Sequence, residues 1–211
     1  SSIDQNGRYA FGNQPSIASW NLASLAGCLI AFIDKDSDKA NELATEVLDN
    51  FSKETNQRIL DLMCEKIGLN GGKKENQTLL RNLLKIMMDN ESDYTITFRN
   101  LSKVLFEDSD EFFDQFSEKK EINAWLNNWK QALKNEHKDL YKLTDRLNRI
   151  NPVYIPRNHQ VQLAIDLAYE NDFSKMLEMI EVFKNPFEEV SEYVSYSQAP
   201  LQKERIMRTF C

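Results

Sequence analysis

Apolar residues along most of this chain recur every three or four positions, with charged and amide side chains between them. That period is the mark of amphipathic α-helices. From Lys39, the positions Ala40, Leu43, Ala44, Val47, Leu48 and Phe51 define one such helix. Ile59, Leu60, Leu62, Met63 and Ile67 define a second, ending at the glycine-containing turn Gly68 to Gly72. Leu79, Leu80, Leu83, Leu84, Met87 and Met88 mark another, and Tyr94, Phe98, Leu101 and Leu105 the one after it. Ile122, Trp125, Leu126, Trp129 and Leu133 form a single stripe, and Leu140, Leu143, Leu147 and Ile150 continue the pattern until Asn151 and Pro152 stop it. A pair of helices is expected between His159 and Phe183, closed by Asn185 and Pro186, with an irregular tail beyond.

One stretch departs from this pattern. Gly7 to Ile33 carries no charge apart from Arg8, and from Ile17 to Phe32 its apolar residues leave no clean polar face. Asn13, Gln14 and Pro15 read as a helix start, with an amide able to cap free N–H groups and a proline tolerated in the first turn. A helix apolar nearly all round is normally buried on every side or spans a membrane. Ser16, Ser19, Asn21 and Ser24 dilute the run, and Asp34, Asp36 and Asp38 follow where a positive flank would be expected. The reading favoured is a central core helix, with Trp20 in the interior.

Composition narrows the class. The 211 residues include only six glycines and five prolines, which suits a helical protein better than a β-sandwich or a nucleotide-binding α/β fold. A formal charge of −7 argues against a nucleic-acid partner, which calls for a concentrated positive surface. The three cysteines, Cys28, Cys64 and Cys211, form neither a secreted disulfide framework nor, with His137 and His159, a zinc site. Cys28 and Cys64 sit among apolar residues and read as buried thiols, and a reducing cytoplasm is the expected compartment, with no signal peptide and no membrane.

Several motifs invite a chemical reading and have a plainer one. Asp34 to Asp38 starts like a calcium loop, but its sixth and twelfth positions are Lys39 and Thr45, so helix capping is preferred. Gly68 to Lys74 lacks the pattern of a phosphate loop, and a helix C-cap is preferred. Trp125 and Trp129 suit a stacking platform for a ligand, yet packing between helices is the better expectation. Arg157, Asn158 and His159 look like catalytic equipment, but with no paired acid or nucleophile in view they read as capping and loop-tethering residues. The acidic-to-basic run from Glu107 to Lys120 reads as a solvated loop anchored by Phe112, Phe113 and Phe116.

Four blocks carry a resemblance: GRYAFGNQPSIASWNLASLA, SDYTITFRNLSKV, INPVYIPRNHQVQLAIDLAYENDFSKMLEMI and FKNPFEEV. In this order, ending near a cysteine, they resemble the C-terminal part of the selenoprotein O family over essentially the whole chain. The resemblance implies an all-α, multi-helix bundle like the helical C-terminal lobe of a protein-kinase-like fold. It divides the chain into an activation-segment-like loop (1–14), a helical lobe (15–185) and an irregular tail (186–211). Family members are pseudokinases that bind ATP with Mg2+ and transfer AMP to protein hydroxyl groups.

The resemblance also implies what lies elsewhere. The family's nucleotide loop, its lysine and acidic pair, its catalytic aspartate and its metal-binding residues all precede the GRYAF block. The chain is therefore expected to be a catalytically incomplete part of an ATP- and Mg2+-dependent protein adenylyltransferase. Its expected partners are a kinase-like N-terminal lobe and the parent's protein substrates. Arg8, Tyr9, Asn13 and Gln14 would stand near the edge of the active site, and Gly12 departs from the acidic residue often found there. Cys211 matches a redox or regulatory cysteine of the family tail, whose partner would lie before Ser1. The alternative expectation, from another class, is a self-contained all-α protein-interaction module without enzymatic activity.

Overall fold

The computed structural model describes residues 4–206, and the described residues form ten α-helices and three short 3-10 turns with no strand. They fall into two compact units, residues 4–60 and residues 61–206, whose boundary lies within one long helix. The all-α class is therefore as expected.

The first unit opens with a loop and a 3-10 turn at Phe11–Asn13, followed by α1, Gln14–Ile33. Pro15 sits in the first turn of α1 as predicted, but Asn13 makes no side-chain cap. Its amide instead donates to the Gly7 carbonyl at 2.7 Å. The larger correction concerns cover. None of the residues of α1 is buried: Trp20 is 55% exposed, Phe32 85% and Leu25 54%. The physical reason is supply, because a helix apolar all round needs neighbours on every side, and only Ala40 and Ala44 are buried in this unit. Cys28 is likewise exposed rather than a buried thiol. Residues Phe11–Ile33 are long and apolar enough to cross a membrane by length and composition, with a mean hydropathy of 1.7.

After Asp34, helix α2 runs without interruption over Ser37–Lys66, 30 residues where the periodicity suggested two helices. Nothing between Phe51 and Ile59 breaks a helix, since the segment contains neither glycine nor proline. The acidic start behaves as expected: Asp36 Oδ1 accepts from the N–H groups of Asp38 (2.9 Å) and Lys39 (3.3 Å). The end of α2 is closed by Gly68 in the left-handed region, φ +76°. There the Leu69 N–H donates to the Cys64 carbonyl (3.0 Å) and the Gly68 N–H to Glu65 (2.9 Å), the paired bonds of a Schellman motif.

The second unit contains the end of α2, then α3 (Lys74–Asp89), α4 (Tyr94–Asn100), α5 (Asp110–Phe113), α6 (Lys119–Glu136) and α7 (Leu140–Ile150). α8 (Asn158–Tyr169), α9 (Ser174–Val182) and the short α10 (Val194–Ser197) complete it. α3 and α6 pack on each other through Leu80, Leu83, Trp125 and Trp129, all buried. The two tryptophan rings stack at 5.4 Å, and each indole N–H donates to a backbone carbonyl, Trp125 to Leu79 (2.8 Å) and Trp129 to Ile67 (2.7 Å). They join helices rather than offer a ligand platform. A separate apolar cluster, Val153, Tyr154, Ala164, Met179, Val182 and Tyr196, fastens α8 and α9 to the extended segment before them and to α10.

Candidate functional site

The residues expected at the edge of an active site belong to one tightly knit loop in the first unit. Asp4 organises it, its two carboxylate oxygens accepting from the N–H groups of Arg8 (2.8 Å) and Tyr9 (2.7 Å). Gly7 takes φ +64° at the turn. The Gln14 amide donates back to the Tyr9 carbonyl at 2.8 Å, so the loop is fixed to the first turn of α1. Asn13 and Gln14 thus serve the loop's backbone. The side chains left facing outward are Tyr9, 67% exposed, and Phe11, 91% exposed. The Arg8 guanidinium lies 4.4 Å from the centre of the Trp20 ring. Loop and helix together present a cationic and aromatic surface.

The second unit brings Arg157 to a partner 64 residues away, with which it forms a two-point ion pair. Its guanidinium donates to Asp93 Oδ2 at 2.6 Å and Oδ1 at 3.2 Å, and also to the Ser197 carbonyl at 3.1 Å. Burial alone would raise the Asp93 pKa, but the Arg157 hydrogen bonds and the Ile96 N–H outweigh it and hold the carboxyl below its ordinary 3.8. Asp93 also caps α4 through that Ile96 N–H. Arg157 is therefore the tether that the sequence suggested. Beside it, burial and the Arg157 and Lys175 charges lower the His159 pKa against the pull of Glu204.

Sequence reasoning missed a second buried cation. Arg99 donates to Glu189 Oε1 (3.1 and 3.2 Å) and to the carbonyls of Asn148 (2.9 Å) and Asn151 (3.0 Å), closing the junction between α4, α7 and the tail. An arginine in the apolar run of α4 was the available signal, because a buried guanidinium must find several acceptors. Arg99 lines a cleft of about 330 Å³ with Lys103, Glu111, Tyr154 and Glu189, where Lys103 faces Glu111 at 3.4 Å.

The described residues do not compose a Mg2+–ATP site. Among the described residues no group of three or more His, Cys, Asp or Glu side chains is placed to hold a metal ion. The two buried arginines, Arg157 and Arg99, are held by Asp93 and Glu189. At the glycine turn, Gly68 offers its carbonyl to His137 (2.7 Å), and Glu136 accepts from the Asn70 N–H (3.0 Å) and Lys73 (2.7 Å). That turn is bound up with its own carboxylate and has no free cradle. Cys64 is buried and its thiol is pushed up to about 11 by burial, so it is no nucleophile at neutral pH. Cys211 lies outside the described residues.

Comparison with known proteins places this architecture. The family model described as protein adenylyltransferase SelO matches residues 1–184. The chain is 39% identical over its whole length to a protein nucleotidyltransferase YdiU of Maridesulfovibrio salexigens, 39% to that of Agrobacterium fabrum and 37% to that of Rhodopseudomonas palustris. It spans 43%, 44% and 44% of those relatives' lengths, respectively. These matches carry the family and the extent of the likeness, and do not carry the expected C-terminal placement. With the family model matching residues 1–184 and similarity along the whole of this chain to part of three relatives, the chain belongs to the SelO family of protein adenylyltransferases.

Proposed function

We propose that this chain is a helical, non-catalytic portion of a longer ATP- and Mg2+-dependent protein adenylyltransferase that places AMP on Ser, Thr or Tyr hydroxyls of proteins. The family match over residues 1–184 carries the reading. Two structural features support the incomplete status. Nucleotidyl transfer needs cations positioned around the phosphates, and the buried arginines here are already paired. The apolar helix α1 is uncovered, as an interior helix is when the rest of its domain is elsewhere.

In this reading the partners are the remaining kinase-like part of the parent, which covers α1 and the Arg8–Tyr9 loop, and the parent's protein substrates. The cytoplasm is the proposed setting. Residues 1–211 alone bind no Mg2+–ATP in a calorimetric titration. A micromolar affinity would overturn the non-catalytic assignment. The full-length parent incubated with Mg2+ and ATP gains the mass of AMP on itself or on a protein substrate. Absence of any adduct on an intact, folded parent would overturn the activity.

The second reading is a self-contained interaction module, favoured by the same exposed aromatic surface at Tyr9, Phe11 and Trp20. The reading frame before Ser1 separates the two. A kinase-like lobe there supports the adenylyltransferase, and a start codon or unrelated domain supports the module. Ser16, Ser19 and Ser24 weigh against lipid as the cover of α1, and failure of the full-length parent to float with phospholipid vesicles is the expected outcome.

A further inference from the structure

The cleft beside Arg99 is walled by α4 and the turn after it, by the extended segment after α7 and by the tail before α10. Its walls are fastened to one another. The Tyr154 hydroxyl accepts from the Val190 N–H at 2.9 Å and donates to the Val190 carbonyl at 3.1 Å, and the Val153 N–H donates to the Pro186 carbonyl at 2.8 Å. Arg99, its side chain 8% exposed, reaches from α4 to Glu189 and to the carbonyls of Asn148 and Asn151. The space of about 330 Å³ is therefore formed before anything enters it, which lowers the cost of binding.

The lining has an apolar part and a charged part. Ile96, Val153, Val190 and Val194 supply the first. Two cations, Arg99 and Lys103, and two carboxylates, Glu111 and Glu189, supply the second. Arg99 is spent on Glu189, but only Oε1 of that carboxylate is engaged, at 3.1 and 3.2 Å. Lys103 and Glu111 meet through one contact of 3.4 Å, with side chains 38% and 52% exposed. An ion pair that long and that exposed contributes little, so both ends can turn to a ligand. Among the described residues, Glu189 Oε2 and Glu111 Oε1 accept no hydrogen bond.

This balance of charge selects the ligand. A molecule of one sign meets an opposing charge however it lies: an anion faces Glu111 and Glu189, and a cation faces Arg99 and Lys103. A molecule that carries both signs a few bonds apart satisfies both. We propose that this cleft binds a small zwitterion, a free aliphatic amino acid. Its carboxylate turns to Lys103, its ammonium to the open oxygens of Glu111 and Glu189, and its side chain covers the valines. The volume lies at the lower end of the range of about 300–1,000 Å³ for ligand pockets, as a ligand of this size requires. The inference stands on the second unit alone and goes beyond the adenylyltransferase reading.

Calorimetric titration of L-leucine into the full-length parent tests it. The expected Kd is about 1 mM or tighter, and N-acetyl-L-leucine, which lacks the ammonium, and L-leucinamide, which lacks the carboxylate, each bind about tenfold more weakly or worse. No binding of leucine, or equal affinity for all three, overturns the proposal. Lys103→Met locates the site. It brings leucine down to the affinity of leucinamide, while thermal melts followed by far-UV circular dichroism stay at the parent's midpoint, because the one ion pair lost is exposed. A Lys103→Met protein that binds leucine as tightly as the parent overturns the proposal.

Discussion

Trp129 gives the sharpest test of how the second unit is held together. Its side chain is fully buried, stacked on Trp125, and its N–H donates at 2.7 Å to the carbonyl of Ile67, just past the last residue of α2. That carbonyl accepts no further helical bond, so the indole satisfies the end of the helix. Trp129→Phe keeps most of the apolar body and removes only the donor. The Ile67 carbonyl is then left buried without its partner, which costs about 1–3 kcal/mol. Trp129→Ala adds the cavity and the lost stacking, for a loss of about 3–5 kcal/mol or more. Trp125→Phe is the control. Its N–H donates to the Leu79 carbonyl inside α3, which is already positioned to accept a helical bond, so a smaller loss is expected. Urea unfolding followed by far-UV circular dichroism reads these as midpoint shifts at constant slope. A Trp129→Phe variant within about 0.5 kcal/mol of the parent sequence would refute the role given to the indole N–H.

Three further outcomes follow from the same geometry. Trp20→Ala costs about 1–2 kcal/mol in residues 1–211, where the ring is 55% exposed, and about 3 kcal/mol more in the full-length parent if α1 is covered there; equal losses in paired urea melts would refute the cover. Asp93→Asn removes the carboxylate that pairs with the buried Arg157 and costs about 3 kcal/mol at neutral pH. Because the folded Asp93 pKa is depressed, the pair's contribution is present above the ordinary carboxylate value and lost as pH falls through the folded one, so the variant's stability declines less steeply in acid; identical acid limbs in melts at stepped pH would refute this. Gly71→Ala would drive a Cβ into the Asp61 backbone, whereas the same change at Gly72 meets only the Asn70 side-chain oxygen at 3.3 Å, so thermal melts should show a loss of about 2 kcal/mol or more at 71 and little at 72.

Local features were legible because their causes are local. Pro15 at the start of α1, the acidic cap of α2, the glycine after its end and the stripe containing Trp125 and Trp129 all depend on residues a few positions apart. The tethering role of Arg157 could be read in kind, but its partner Asp93 could not. The two are joined only by the folding of the intervening chain, and nothing in either residue's neighbourhood names the other. The same holds for Arg99 and Glu189. The division of α2 into two helices was a misreading of a polar stretch that contains no residue able to end a helix.

The sequence by itself determined the helical class, the apolar face of most helices, the turns that end them and, through its four blocks, the family. Tertiary structure decided which faces are covered. α1 and the Trp125–Trp129 stripe are both apolar runs, yet one stands in solvent and the other is buried. Periodicity records that a side chain prefers an apolar neighbour, and only the packed chain shows whether these residues supply one.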